Sequence, residues 1–119
     1  MNTRSFRKSR VPSISEAQWV RLNAYFVCPR NVMPHVLAPI AQVGYSTANA
    51  LLIAMATDGV ASLFWMIFHN CEEHPVAERR YEDGPITAVW SCPECERDIA
   101  PECIGYAIEC RTSGAVVFE

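Results

Sequence analysis

Apolar positions recur at three- and four-residue intervals through the first half of the chain and alternate through much of the second. Trp19, Leu22 and Phe26 fall on one helical face, with Arg21 and Asn23 off it. Ser13 with Glu16, or Ser15 with Gln18, gives the spacing of a capping box ahead of that helix. Pro29 is expected to close it, with Cys28 beside it as a small buried hydrophobe. Pro34, Pro39 and Gly44 frame a short, broken helix from His35 to Val43, and Gly44 reads as its left-handed stop. A third helix is expected from about Ser46 to Thr57. Ser46 or Thr47 can cap it, and Ala48, Leu51, Leu52 and Met55 line its apolar side. Asp58-Gly59 ends that helix with a residue that accepts positive φ.

Beyond Gly59 the pattern turns to β-structure. Leu63 to Phe68 is aromatic, short and strand-like, and Ile86 to Trp90 is a second candidate strand. Between them, residues 75–84 form a polar loop. Cys103 to Cys110 and Ala115 to Phe118, with Gly114 between them, predict a carboxyl-terminal β-hairpin whose cysteines pack. The expected class is α+β.

Composition narrows the picture. Half of the 119 residues are hydrophobic and 19% are charged, which marks a globular chain with a modest core. The net charge of −3 conceals an asymmetry. Residues 1–30 hold six of the ten Lys/Arg against one acid, Glu16; residues 31–119 hold four against twelve acids. Arg4, Arg7, Lys8 and Arg10 are expected in a mobile basic tail, residues 1–12, that can lie along phosphates. No apolar run follows these charges as an export signal requires, so the expected location is the reducing cytoplasm. Asp58-Gly59 interrupts the long apolar stretch from Ala48 to Phe68, which argues against a membrane span.

In that compartment six cysteines point to a metal rather than to disulfides. Cys71-Glu72-Glu73-His74 and Cys92-Pro93-Glu94-Cys95 are separated by seventeen residues. Each pair can bend as a knuckle over one ion, and three thiolates with one imidazole close a zinc tetrahedron. Cys71, His74, Cys92 and Cys95 are therefore the expected ligands of a structural Zn2+. A redox dithiol at Cys92 and Cys95 would need a helix amino end, and Trp90-Ser91 leads in from a strand instead. Glycine-rich phosphate loops and clustered acid–base sets are lacking, so neither an enzyme nor a small-molecule substrate is expected.

Three helices leading through Leu51-Leu52, Met55 and Asp58-Gly59-Val60 to a strand resemble a winged helix-turn-helix over residues 13–70. The turn at Gly44-Tyr45-Ser46 is shorter than that family's. Strand, knuckle, loop, strand and knuckle over residues 63–100 are similar to a zinc ribbon inserted at or after the wing. Glu96 stands where a ribbon has glycine. These resemblances imply a winged-helix-like unit, residues 13–70, packed with a β-rich ribbon region, residues 71–119.

Two uses suit such a scaffold. One is a non-catalytic protein-interaction module, an adaptor or regulatory subunit, with a second copy of the chain among its candidate partners. The other is a DNA-binding regulator. In that case Tyr45, Ser46, Thr47 and Asn49 read bases, while Arg79, Arg80 and the basic arm take phosphates. The third helix carries no Lys or Arg, which favours the interaction module.

Overall fold

The computed structural model of the chain describes residues 3–119. It is an α+β structure whose Cα positions divide into two compact units. The first comprises Met1–Leu63 with Cys110–Glu119, and the second is Phe64–Glu109. The second unit is thus inserted in the first, where the sequence suggested a boundary near residue 70.

In the first unit, helix α1 spans Glu16–Tyr25. Of the two capping candidates, Ser15 is the cap. Its hydroxyl accepts from Gln18 N–H at 3.2 Å, and Gln18 Oε1 accepts from Ser15 N–H at 2.8 Å. Trp19, Leu22 and Phe26 are buried as their spacing requires. The helix stops well before Pro29, and Cys28 is exposed rather than packed. Helix α2 spans Pro34–Ala41, with Pro34 in its first turn, where the missing N–H costs nothing. Gln42, not Gly44, takes the left-handed position after it, at φ 56°. Gln18 Nε2 donates to the Gln42 carbonyl at 2.8 Å, tying α1 to that turn. Gly44 is the N-cap of helix α3, Tyr45–Thr57.

Helix α3 buries Ala48, Leu51, Leu52 and Met55 completely, as the sequence pattern predicts. Its end is a Schellman motif. Gly59, at φ 76°, donates to Ala56 O at 3.1 Å, and Val60 donates to Met55 O at 2.9 Å.

Strand β1 (Arg4–Phe6) lies parallel to β8 (Val116–Phe118), with Phe6 opposite Phe118. The expected mobile tail is therefore structured from residue 4, and a 3-10 turn follows at Lys8–Arg10; Met1 and Asn2 lie outside the described residues. Phe118 is the hub of this unit. Its ring meets Phe6 at 5.8 Å, Trp19 at 5.2 Å and Phe26 at 5.5 Å between centroids. Asn23 holds its backbone on both sides, accepting from Phe118 N–H at 2.8 Å and donating to Phe118 O at 3.2 Å.

The expected carboxyl-terminal hairpin does not form. Strand β7 (Gly105–Arg111) belongs to a four-stranded sheet of order β2-β7-β3-β4, while β8 leaves it for β1. Strand β2 is Asn31–Val32, β3 is Ser62–Phe68 and β4 is Ala77–Arg80. Thr112, just after β7, is buried without cost because it bonds back to Arg30. Its hydroxyl accepts from Arg30 N–H and its N–H donates to Arg30 O, each at 2.8 Å.

Within the second unit β3 pairs antiparallel with β4, and β5 (Trp90–Ser91) with β6 (Asp98–Ile99). Only two residues of the expected strand from Ile86 to Trp90 and its continuation pair as strand. Ile67, Val76, Cys92, Ile99 and Ile104 form the apolar core, with Trp90 and Tyr106 against it. Cys110 is buried, but Cys103 is exposed in a 3-10 turn rather than packed.

Replacing Phe118 with Ala removes the ring on which three others close. It should lower the unfolding free energy by about 3–5 kcal/mol. Denaturant titration followed by circular dichroism measures this; a loss below about 1 kcal/mol would deny Phe118 the hub role.

Candidate metal centre

Four side chains of the second unit converge: His69, Cys71, Cys92 and Cys95. One ligand atom from each lies within 4.8 Å of all the others. Cys71 Sγ and Cys92 Sγ are 3.7 Å apart, and Cys95 Sγ is 3.6 Å from His69 Nδ1. Metal–sulfur bonds of about 2.3 Å in a tetrahedron set sulfurs roughly 3.8 Å apart. The observed spacings fit one ion held by four ligands, and they are far too long for a disulfide. The group can hold a metal ion.

Two segments deliver these ligands. His69 and Cys71 directly follow the end of β3 at Phe68. Cys92 and Cys95 lie between β5 and β6, a hairpin closed by Cys92 N–H to Arg97 O at 2.9 Å. Within that turn Glu96 N–H donates to Cys92 O at 2.8 Å, and Glu96 takes a left-handed φ of 63°. A β-carbon is disfavoured there, so Glu96 holds its place at a cost in backbone strain.

The protonation pattern follows from the geometry. The Cys92 thiol is buried, which opposes ionisation. Backbone N–H groups of Cys95 and Glu94 and the neighbouring thiols overcome that burial and lower its pKa. Cys71 is pushed up to about 12, first by desolvation and then by holding its proton toward Cys92 and Cys95. One thiolate in the cluster thus suppresses the next, a conflict that a cation removes.

Of the four expected ligands the structure brings together Cys71, Cys92 and Cys95, and it leaves out His74. The His74 ring is exposed, with Nδ1 3.0 Å from Pro75 O and Nε2 3.6 Å from the Glu72 carboxylate. The Pro75 carbonyl first, and then the charges of Glu72 and Glu94, raise its pKa. His69 takes the fourth place. A tight turn directly after β3, closed by Glu72 N–H to His69 O at 3.2 Å, puts His69 and Cys71 beside each other. The two-residue knuckle spacing drew attention to His74 instead.

Five of the six basic residues expected to meet DNA bond within the chain. Arg10 grips Asp58 with two bonds of 2.8 Å, and that hydrogen bonding and charge raise its pKa. Lys8 Nζ is 3.3 Å from Glu16, and Arg4 donates to Gly59 O at 3.2 Å. Arg79 donates to Gly84 O at 2.7 Å and Asp83 O at 3.2 Å, while Arg80 reaches Glu82 at 3.4 Å. Arg7, Tyr45 and Ser46 are exposed, and Thr47 and Asn49 are half-buried. Among the described residues no single helix is long and apolar enough to cross a membrane.

No protein-family model, curated protein or solved structure matches this chain.

Substituting His69 by Ala should lower metal affinity by about two orders of magnitude, whereas His74→Ala should leave it within about threefold. Competition against a chromophoric chelator measures both, and equal losses would return His74 to the site. Thiols bind metal only after losing their protons. Apparent affinity should therefore fall as pH drops from about 8 to 6, with protons released on binding. Glu96→Gly should relieve the left-handed strain and raise stability by about 0.5–1 kcal/mol, read by thermal melting of the metal-loaded protein.

Proposed function

We propose that this chain is a non-catalytic protein-interaction module, an adaptor or regulatory subunit, whose inserted unit is stapled by a structural Zn2+. Three thiolates and one imidazole at tetrahedral spacing are the donor set that zinc prefers. All four positions of the shell are taken by protein, so the ion holds the fold and has no place for substrate.

A winged-helix scaffold is supported by the element order α1-β2-α2-α3-β3 and by the bend of 110° between α2 and α3. The place of β7 between β2 and β3 in the sheet order adds to it. On this reading residues 69–104, with the metal ligands and a ribbon-like hairpin, are an enlarged wing.

The commitment of the basic residues carries the choice between the two uses. A DNA reader gains most of its affinity by neutralising phosphates, and here Lys8, Arg10 and Arg80 already neutralise carboxylates. Exposed apolar side chains point the other way: Val36 and Ile40, one turn apart on α2, and Tyr45 at the start of α3. A second copy of the chain is the first partner to examine.

Metal-loaded protein should show little or no binding to duplex DNA at low salt, by fluorescence anisotropy. Affinity that falls steeply with salt would favour the regulator instead. Light scattering across the micromolar to millimolar range then tests self-association. Val36→Asp with Ile40→Asp should abolish it without disturbing the fold or the metal content.

A further inference from the structure

The three cysteines that meet His69 are not equivalent. Cys71 is exposed, Cys95 is half-buried, and Cys92 is buried in the apolar core of the inserted unit. The exposed one touches the buried one, with Cys71 Sγ 3.7 Å from Cys92 Sγ. Cys28 and Cys103 are exposed as well, but neither belongs to the cluster.

Sulfurs that grip one tetrahedral ion stand roughly 3.8 Å apart, whereas a disulfide brings them to about 2.05 Å. The same pair can serve an ion or bond to each other, but not both. A disulfide between Cys71 and Cys92 withdraws two donors at once. It leaves His69 and Cys95, too few to close the shell. Strands β5 and β6 have two residues each, so the hairpin that carries Cys92 and Cys95 has little else to hold it.

We infer that the metal centre is a redox switch: a hydroperoxide oxidises Cys71 and Cys92 to a disulfide, which frees the ion and loosens the inserted unit. This inference rests on the zinc reading of the site. First the Cys71 thiolate attacks a peroxide oxygen; an S–O bond forms, the O–O bond breaks and hydroxide leaves. Then the Cys92 thiolate attacks the sulfenic sulfur of Cys71. An S–S bond forms, the S–O bond breaks and the second oxygen departs as hydroxide. Each sulfur gives up one electron, and the peroxide takes both. Solvent protonates the two hydroxides to water.

The test uses the full chain carrying Cys28→Ser and Cys103→Ser, which removes the exposed thiols outside the cluster. It is loaded with an equimolar amount of zinc and treated with hydrogen peroxide beside a chromophoric chelator. Zinc release in step with the loss of two thiols is expected, with a Cys71–Cys92 disulfide by peptide mapping. Circular dichroism should show β-structure lost on oxidation and regained after dithiothreitol and zinc. Cys71→His keeps four donors but has one sulfur fewer, so once loaded it should release zinc about tenfold more slowly. Cys92→His removes the other sulfur and replaces it if it fails to load. A Cys92–Cys95 disulfide, release without any disulfide, or release from the His variant at the parent rate would overturn the switch. So would zinc that stays bound through the oxidation. A chain that takes up no zinc before peroxide is added would overturn the zinc reading beneath it.

Discussion

The inserted unit depends on four ligand atoms brought together from two segments about twenty residues apart. Its apolar core is Ile67, Val76, Cys92, Ile99 and Ile104, and one of those five is itself a ligand. Strands β5 and β6 have two residues each, too short to hold a hairpin by pairing alone. A core this thin leaves little margin over chain entropy. An ion held by these four ligands would supply what burial cannot, because binding energy that exists only in the folded arrangement is folding energy.

Charge tells a different story once the chain is folded. Along the linear chain, the amino-terminal arginines and lysine look like an arm awaiting a polyanion. In the structure they are largely internal fasteners. Arg10 locks the turn after α3 through Asp58, Lys8 reaches the first turn of α1, and Arg4 bonds Gly59. The asymmetry of the sequence therefore overstates how much positive charge is free to act.

Features carried by local pattern were legible in the sequence. The buried face of α1, its cap at Ser15, the whole apolar side of α3 and the stop at Gly59 all follow from spacing within a few residues. Three of the four clustered ligand residues were also visible, because the Cys92–Cys95 knuckle is a local turn. Long-range features were not. Nothing in Arg4–Phe6 announces a parallel partner more than a hundred residues away, and an alternating carboxyl-terminal stretch looks like a hairpin until β8 leaves β7. The choice between His69 and His74 depended on where the turn after β3 falls, which side-chain type does not reveal. Gln42 in the left-handed position and the exposed Cys28 and Cys103 were decided by neighbours rather than by their own preferences.

The pairing of Arg4–Phe6 with Val116–Phe118 has a consequence for how the molecule is made. On the ribosome, residues 4–6 emerge long before their partner strand exists, and Trp19 and Phe26 must wait without the ring of Phe118. Residues 64–109 are all synthesised before β8 is. The sequence of the inserted unit is therefore complete while its host still lacks β8. The order of synthesis is the reverse of the nesting: the guest's residues are complete first, and the strand that clasps the host comes after them.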